Sequence, residues 1–132
     1  MENKRAKLWL DDAGRWYKLA ESAAGAGLYD KALYSLEMCM ESALKALLIA
    51  RGIEFPKTHN IMPLLMLNKE RLPQKVTGEL DMINDVFTSL LEYRNAAGYR
   101  AESALTDPEF KKKVDKDMKK VKELMKLFEG AI

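Results

Sequence analysis

Residues 76–100 read VTGELDMINDVFTSLLEYRNAAGYR. Val76, Leu80, Ile83, Phe87 and Leu90 recur at steps of four and three, the spacing of one buried helix face. The next step on that stripe falls on Arg94 instead of another hydrophobe. A guanidinium on a core seam is costly unless something pairs with it. Arg94 therefore either has a carboxylate partner inside the fold or holds its charge ready for an anion.

The same periodicity runs outward in both directions. A first helix over about residues 4–24 places Trp9, Ala13, Trp16, Ala20 and Ala23 on one face, and Gly25 and Gly27 end it. A second, over about residues 29–51, carries Tyr29, Leu33, Leu36, Met40, Ala43 and Leu47, with Gly52 just past its end. Beside that stripe run Ala32, Cys39, Ala46 and Ala50, small residues that let a neighbouring helix approach and point to a central position. Phe55-Pro56-Lys57-Thr58 reads as a connection, and Thr58 or Asn60 suits the cap of a short third helix containing Ile61, Leu64, Leu65 and Leu67. Pro63 fits within its first turn.

Leu72-Pro73 breaks the chain, and a long fourth helix is expected from about Gln74 to Tyr99. Thr106-Asp107-Pro108-Glu109 is a helix start, followed by Phe110, Val114, Val121, Leu124, Met125 and Phe128 on one face. No segment alternates with the period of a strand. The expectation is one all-α domain over residues 1–132: an up-and-down antiparallel bundle of four main helices plus a short one.

Composition narrows the function classes. A net charge of +2 supplies no global field for nucleic acid or membrane. No stretch approaches the roughly 20 apolar residues of a membrane helix. One cysteine, Cys39, allows no intrachain disulfide and fits a reducing, cytoplasmic setting. One Cys and one His are too few soft ligands for a zinc site, so neither metal nor cofactor is expected.

Several motifs read as structure. Trp9, Trp16, Tyr17 and the eight methionines lie on or beside helical stripes, as core residues do. The lysines from Lys111 to Lys126 could track phosphates, but Asp115, Asp117, Glu123 and Glu129 interleave with them, as on a solvated face. Gly25-Ala26-Gly27 follows a helix and lacks the lysine and hydroxyl of a phosphate loop. His59, the only imidazole, sits at a loop-to-helix boundary where it can bond backbone; the alternative is a general base. Glu37, Glu41 and Lys45 lie one turn apart and read as a surface charge ladder; the alternative makes Glu41 the buried partner of Arg94.

The stretch Leu36-Glu37-Met38-Cys39-Met40-Glu41-Ser42-Ala43-Leu44-Lys45-Ala46-Leu47-Leu48 resembles the second-helix signature of the HEPN domain. Gly52 and Thr58-His59-Asn60-Ile61 resemble that family's glycine and the His-containing start of its third helix. Trp9-Leu10, Ala20 and Gly27-Leu28-Tyr29-Asp30-Lys31-Ala32 resemble its opening, so the likeness covers nearly the whole chain. It implies a small helical bundle that dimerises, often as partner of a minimal nucleotidyltransferase in a toxin–antitoxin pair. Active members are metal-independent ribonucleases with an Arg, a polar residue and a His. Arg94 and Asn95 match the first two; Tyr99 stands at the His position and Arg100 follows.

The chemistry of metal-free RNA cleavage gives that departure its weight. Arg94 suits a developing phosphorane charge, because its fork matches phosphate oxygens. Histidine suits the 2′-hydroxyl proton, whereas a tyrosine of reference pKa about 10 is a poor base at neutrality. The resemblance thus favours a non-enzymatic or weakly active homodimer that binds nucleotide or RNA phosphate through Arg94, Asn95 and Arg100. Tyr99 completes the degenerate motif, and Glu41 and His59 would support it. Two alternatives stand beside this: an active endoribonuclease toxin with an altered base, Tyr99 or His59, and an interaction module in which Arg94 only pairs with a carboxylate such as Glu41.

Overall fold

The computed structural model describes residues 2–95 and 99–132, with the side chains of residues 2, 95, 99 and 100 outside that description. Among the described residues there are seven α-helices: α1 (Glu2–Gly25), α2 (Tyr29–Ala50), α3 (Met62–Leu67), α4 (Gln74–Thr77), α5 (Leu80–Asn95), α6 (Tyr99–Thr106) and α7 (Pro108–Ala131). No strand occurs among the described residues, and the long helices form the expected bundle.

The α1–α2 hairpin is set by a glycine. Gly27 takes φ 77°, and the Leu28 N–H then reaches back to the Ala23 carbonyl at 2.8 Å, reversing the chain. The two helices run antiparallel, with Ser42 Oγ donating to Asp12 Oδ2 at 2.9 Å and Trp16 edge-on to Tyr34. Ala13 and Ala20 are completely buried in this seam, whereas Trp9 and Trp16 are only half-buried at its margins. The same device ends α2: Gly52 has φ 67°, and the Ile53 N–H bonds the Leu48 carbonyl at 2.9 Å.

Helix α2 is central, as its small-residue row implied. Between Ala32 and Ile49 only Tyr34 and Met38 escape full burial. It packs against α1, α5 and α7. Phe87 from α5 and Phe128 from α7 meet Leu33, Leu36, Met40, Leu44 and Leu47 in the core. Each such side chain contributes roughly 1.5–3 kcal/mol by leaving water. Helix α7 runs antiparallel to α5, with Tyr93 edge-on to Phe110 and Lys113 Nζ donating to Ser89 Oγ at 2.9 Å.

Two boundaries differ from the expectation. The fourth helix is not continuous from Gln74: α4 closes at Thr77 and α5 starts at Leu80. Gly78 is a poor propagator, and the Glu79 N–H tightens onto the Val76 carbonyl at 3.0 Å. Val76 and Leu80 are both buried, so the stripe survives the break. The far end of that expected helix falls on residues 96–98, outside the described residues. Helix α6 was not anticipated; its apolar residues Ala101, Ala104 and Leu105 make only a one-turn row, and Leu105 is 88% exposed. Helix α7 begins as read, with Asp107 Oδ1 accepting from the Glu109 N–H and Pro108 in the first turn.

Candidate functional site

The site begins with a row of charge on an otherwise apolar helix. Glu37, Glu41 and Lys45 share one face of α2, and all three are buried. The surface-ladder reading is therefore overturned. The reason is legible in hindsight: between Ala32 and Ala50 the only polar residues besides these three and Tyr34 are Ser35 and Ser42. A helix apolar on every side has no solvated face for its charges to occupy.

Two other elements bring partners to this row. The last turn of α5 carries Arg94, whose Nη1 donates to Glu37 Oε2 at 2.7 Å and lies 3.9 Å from Glu41 Oε2. The principal partner of the seam arginine is thus Glu37, one turn before the Glu41 considered from the sequence. Arg94 also lies over the Tyr34 ring at 5.0 Å, and its Nη1 points at Met38 Sδ at 3.1 Å. Tyr34 and Met38, the two incompletely buried residues of α2, are thus the ones beside the guanidinium.

The second partner comes from the loop before α3. Thr58 Oγ1 accepts from the Asn60 N–H and Asn60 Oδ1 from the Met62 N–H, each at 3.3 Å, which sets the turn that presents His59. His59 Nδ1 lies 3.1 Å from both oxygens of Glu41. Its Nε2 lies 3.2 Å from Arg94 Nη2. Arginine only donates, so as acceptor in this contact Nε2 faces Arg94 while Nδ1 faces Glu41. The His59 ring is thus oriented by the Glu41 carboxylate and the Arg94 guanidinium rather than by the backbone bond read from the sequence. Lys45 Nζ completes the network at 2.9 Å from Glu41 Oε1, lying also over the Trp9 and Phe55 rings.

Burial grades across the site. The Glu37 side chain is 0% exposed, that of Arg94 19% and that of His59 57%. Glu37 Oε1 has no hydrogen-bond partner among the described residues. Desolvation, with Glu41 nearby, pushes the Glu37 carboxyl up to about 7 despite the opposing pull of Arg94. Near neutrality Glu37 is partly protonated, and the cluster then carries an excess of positive charge.

Glu37, Glu41 and His59 offer ligand atoms within 4.8 Å of one another, a grouping that could hold a metal ion. Arg94 and Lys45 already supply the positive charge those carboxylates need, at 2.7 and 2.9 Å. The group reads better as a hydrogen-bond and proton network. Cys39, on the same helix, takes no part: burial pushes its thiol up to about 12, leaving it inert.

A family model for the HEPN domain matches residues 6–130. The chain belongs to the HEPN domain family. No curated protein and no solved structure matches it.

In this HEPN domain, three of the residues singled out from the sequence, Arg94, His59 and Glu41, meet at one point. Glu37 joins them, although its place in the row was read as surface. The remaining motif residues, Asn95, Tyr99 and Arg100, have side chains outside the described residues. The α7 lysines do not reach the site. Lys112 pairs with Glu109 at 3.3 Å and Lys113 with Asp117 at 3.0 Å, beside a cleft between α5 and α7. Asp117 departs from the solvated-face reading: it is buried between Val114 and Val121, with Lys113 as its partner. No helix among the described residues is long and apolar enough to cross a membrane.

Proposed function

We propose that this HEPN domain binds the phosphate of RNA or a nucleotide at the Arg94 face, as a homodimer working with a minimal nucleotidyltransferase in a toxin–antitoxin-like pair. The observation that carries the reading is the two-sided setting of Arg94. Glu37 fixes one end of the guanidinium from the core, while among the described residues Nη2 meets the exposed ring of His59. A fork held rigidly on one side and open on the other loses little freedom on meeting a phosphate. Partial protonation of Glu37 leaves the cluster net positive and favours an anion. Asn95 and Arg100, which flank Arg94 in the motif, would add donors to the same phosphate.

The test is fluorescence anisotropy with a labelled single-stranded RNA, and competition by ATP and by inorganic phosphate. Arg94→Lys keeps the charge against Glu37 but loses the planar fork. It should weaken binding by about 1–3 kcal/mol, the range of a charge-assisted hydrogen bond. Equal affinity in wild type and variant would reject the Arg94 site. Light scattering tests the dimer, and co-purification with a nucleotidyltransferase encoded beside it tests the pair.

A further inference from the structure

The cleft between α5 and α7 shares no residue with the Arg94 cluster, and it holds charge that the fold does not use. We propose that this cleft is a second binding site, for a small phosphate monoester that also carries a hydroxyl or amino group. Its volume of about 450 Å³ is in the usual range for a small-ligand pocket. Val86 is the one apolar side chain among its described lining residues, so an apolar ligand has little to gain there. Part of the charge is spent inside the cleft. Lys112 pairs with Glu109 at the rim, at 3.3 Å. Deeper in, the buried Asp117 holds Lys113 Nζ at 3.0 Å. Lys113 also reaches across to Ser89 Oγ at 2.9 Å and lies over the Tyr93 ring at 4.7 Å. These contacts, drawn from both helices, fix that ammonium at the floor. What remains is unequal. Lys116 and Lys120 have no ion-pair partner among the described residues, and neither does Asp85 on the opposite wall. Two unspent cations therefore stand against one unspent carboxylate.

The chemistry of the unspent groups selects the ligand. Lys116 and Lys120 are one turn apart on α7, so their stems start about 6 Å apart on one face. Each ammonium is a point charge with three donors on a flexible stem, and both can close on one phosphate group. Ser89 Oγ accepts from Lys113, while its own hydroxyl proton has no acceptor among the described residues. That proton is available to a phosphate oxygen. A phosphate monoester near neutrality carries between about 1.5 and 2 negative charges on three acceptor oxygens. It thereby matches two free ammoniums and a hydroxyl, whereas a carboxylate offers one charge and two oxygens. Asp85 adds a second preference. An ionised carboxylate only accepts, so it favours a ligand body that donates from a hydroxyl or an amine, and it repels a second phosphate. The same acid, with Glu109 at the rim, weighs against a polynucleotide, whose phosphates would run past both carboxylates.

The site stands or falls independently of the Arg94 face, and amide NMR titration of the full chain separates the two. The probes are ribose 5-phosphate, inorganic phosphate and unphosphorylated ribose. Ribose 5-phosphate should give saturable shifts at residues 85–89 and 112–120, inorganic phosphate weaker ones at the same places, and ribose none. Lys116 is exposed and Lys120 half-buried, so Lys116→Gln and Lys120→Gln should fold normally. Each should weaken ribose 5-phosphate by about tenfold, the low end for a charge-assisted hydrogen bond. Lys111→Gln, outside the cleft, and Arg94→Lys should leave that affinity unchanged. Asp85→Asn should narrow the preference for ribose 5-phosphate over inorganic phosphate, a change that a merely structural acid would not produce. Shifts confined to the surroundings of Arg94 and lost in Arg94→Lys would send the phosphate to that face alone and overturn the second site. An equal loss in Lys111→Gln would reduce the cleft to diffuse attraction by α7 and overturn it as well. Tighter binding of a single-stranded RNA or a phosphoserine peptide through the same lysines would overturn the small-molecule assignment. No shift at residues 85–89 or 112–120 with either phosphate probe at millimolar concentration refutes the site and leaves the Arg94 reading untouched.

Discussion

Replacing Arg94 with alanine should destabilise the domain, and by more at high pH than at low. Arg94 is the counter-charge of Glu37, a carboxylate with no exposure and, among the described residues, one oxygen without a partner. Removing one member of a buried pair typically costs about 3–5 kcal/mol. The guanidinium is 19% exposed, which places the expected loss near the lower end, about 3 kcal/mol at pH 8. The pH dependence follows from linkage. In the wild type the Glu37 carboxyl is already raised to about 7, so the folded state binds a proton more tightly than the unfolded chain does. Stability from this group is full below its unfolded value and is lost as pH rises through about 7. Without Arg94 the folded value rises further, since the attraction that opposed desolvation is gone. The variant then loses additional stability over the interval above 7, while at pH 5 a protonated Glu37 needs no counter-charge. Urea unfolding of both proteins at pH 5 and pH 8, compared at fixed ionic strength, measures the difference. A loss below about 1 kcal/mol at pH 8, or one equal at the two pH values, would refute the reasoning.

Four further outcomes follow from particular residues. Glu37→Gln should flatten the fall in wild-type stability between about pH 5 and 8, on the order of 3 kcal/mol, because the titrating group is gone; an unaltered profile in urea titrations would locate the proton elsewhere. Gly52→Ala forces a side chain into φ 67° and should cost about 1–2 kcal/mol in the same assay, although the space around it is open. Asp107→Ala removes the N-cap of α7 and should cost about 1 kcal/mol, seen as a lowered Tm. Phe87→Ala opens the core between α2, α5 and α7 and should cost about 3–5 kcal/mol; a smaller loss would mean that the site collapses to fill the void.

Much of the bundle was legible because helix faces repeat locally. The stripes on α2 and α7, the glycine exits at Gly27 and Gly52, and the Asp107-Pro108 start concern residues within a turn or two of one another. Where local cues conflicted, the reading slipped. Gly78 sat inside an uninterrupted apolar stripe, and the backbone answered to the glycine while the packing answered to the stripe. Helix α6 offered only the short row Ala101, Ala104 and Leu105, too brief to mark a helix, and it buries little: Leu105 is exposed.

The candidate site divides along the same line. The sequence by itself marked Arg94 as a charge on a core seam, and marked His59 and Glu41 as residues with more than one reading. It also contained the sign that Glu37 is buried, in the scarcity of polar residues on α2. What it could not supply was distance. Glu37 and Arg94 are 57 positions apart, and Glu41 and His59 are 18 apart. The packing of α5 and of the loop before α3 against α2 brings them within hydrogen-bond reach. Periodicity specifies which face of a helix is buried, but the depth and rotation at which two helices meet depend on every side chain between them. Tertiary packing alone decided that Arg94 is shared between a buried carboxylate and an exposed imidazole, and that sharing is what gives the site its chemistry.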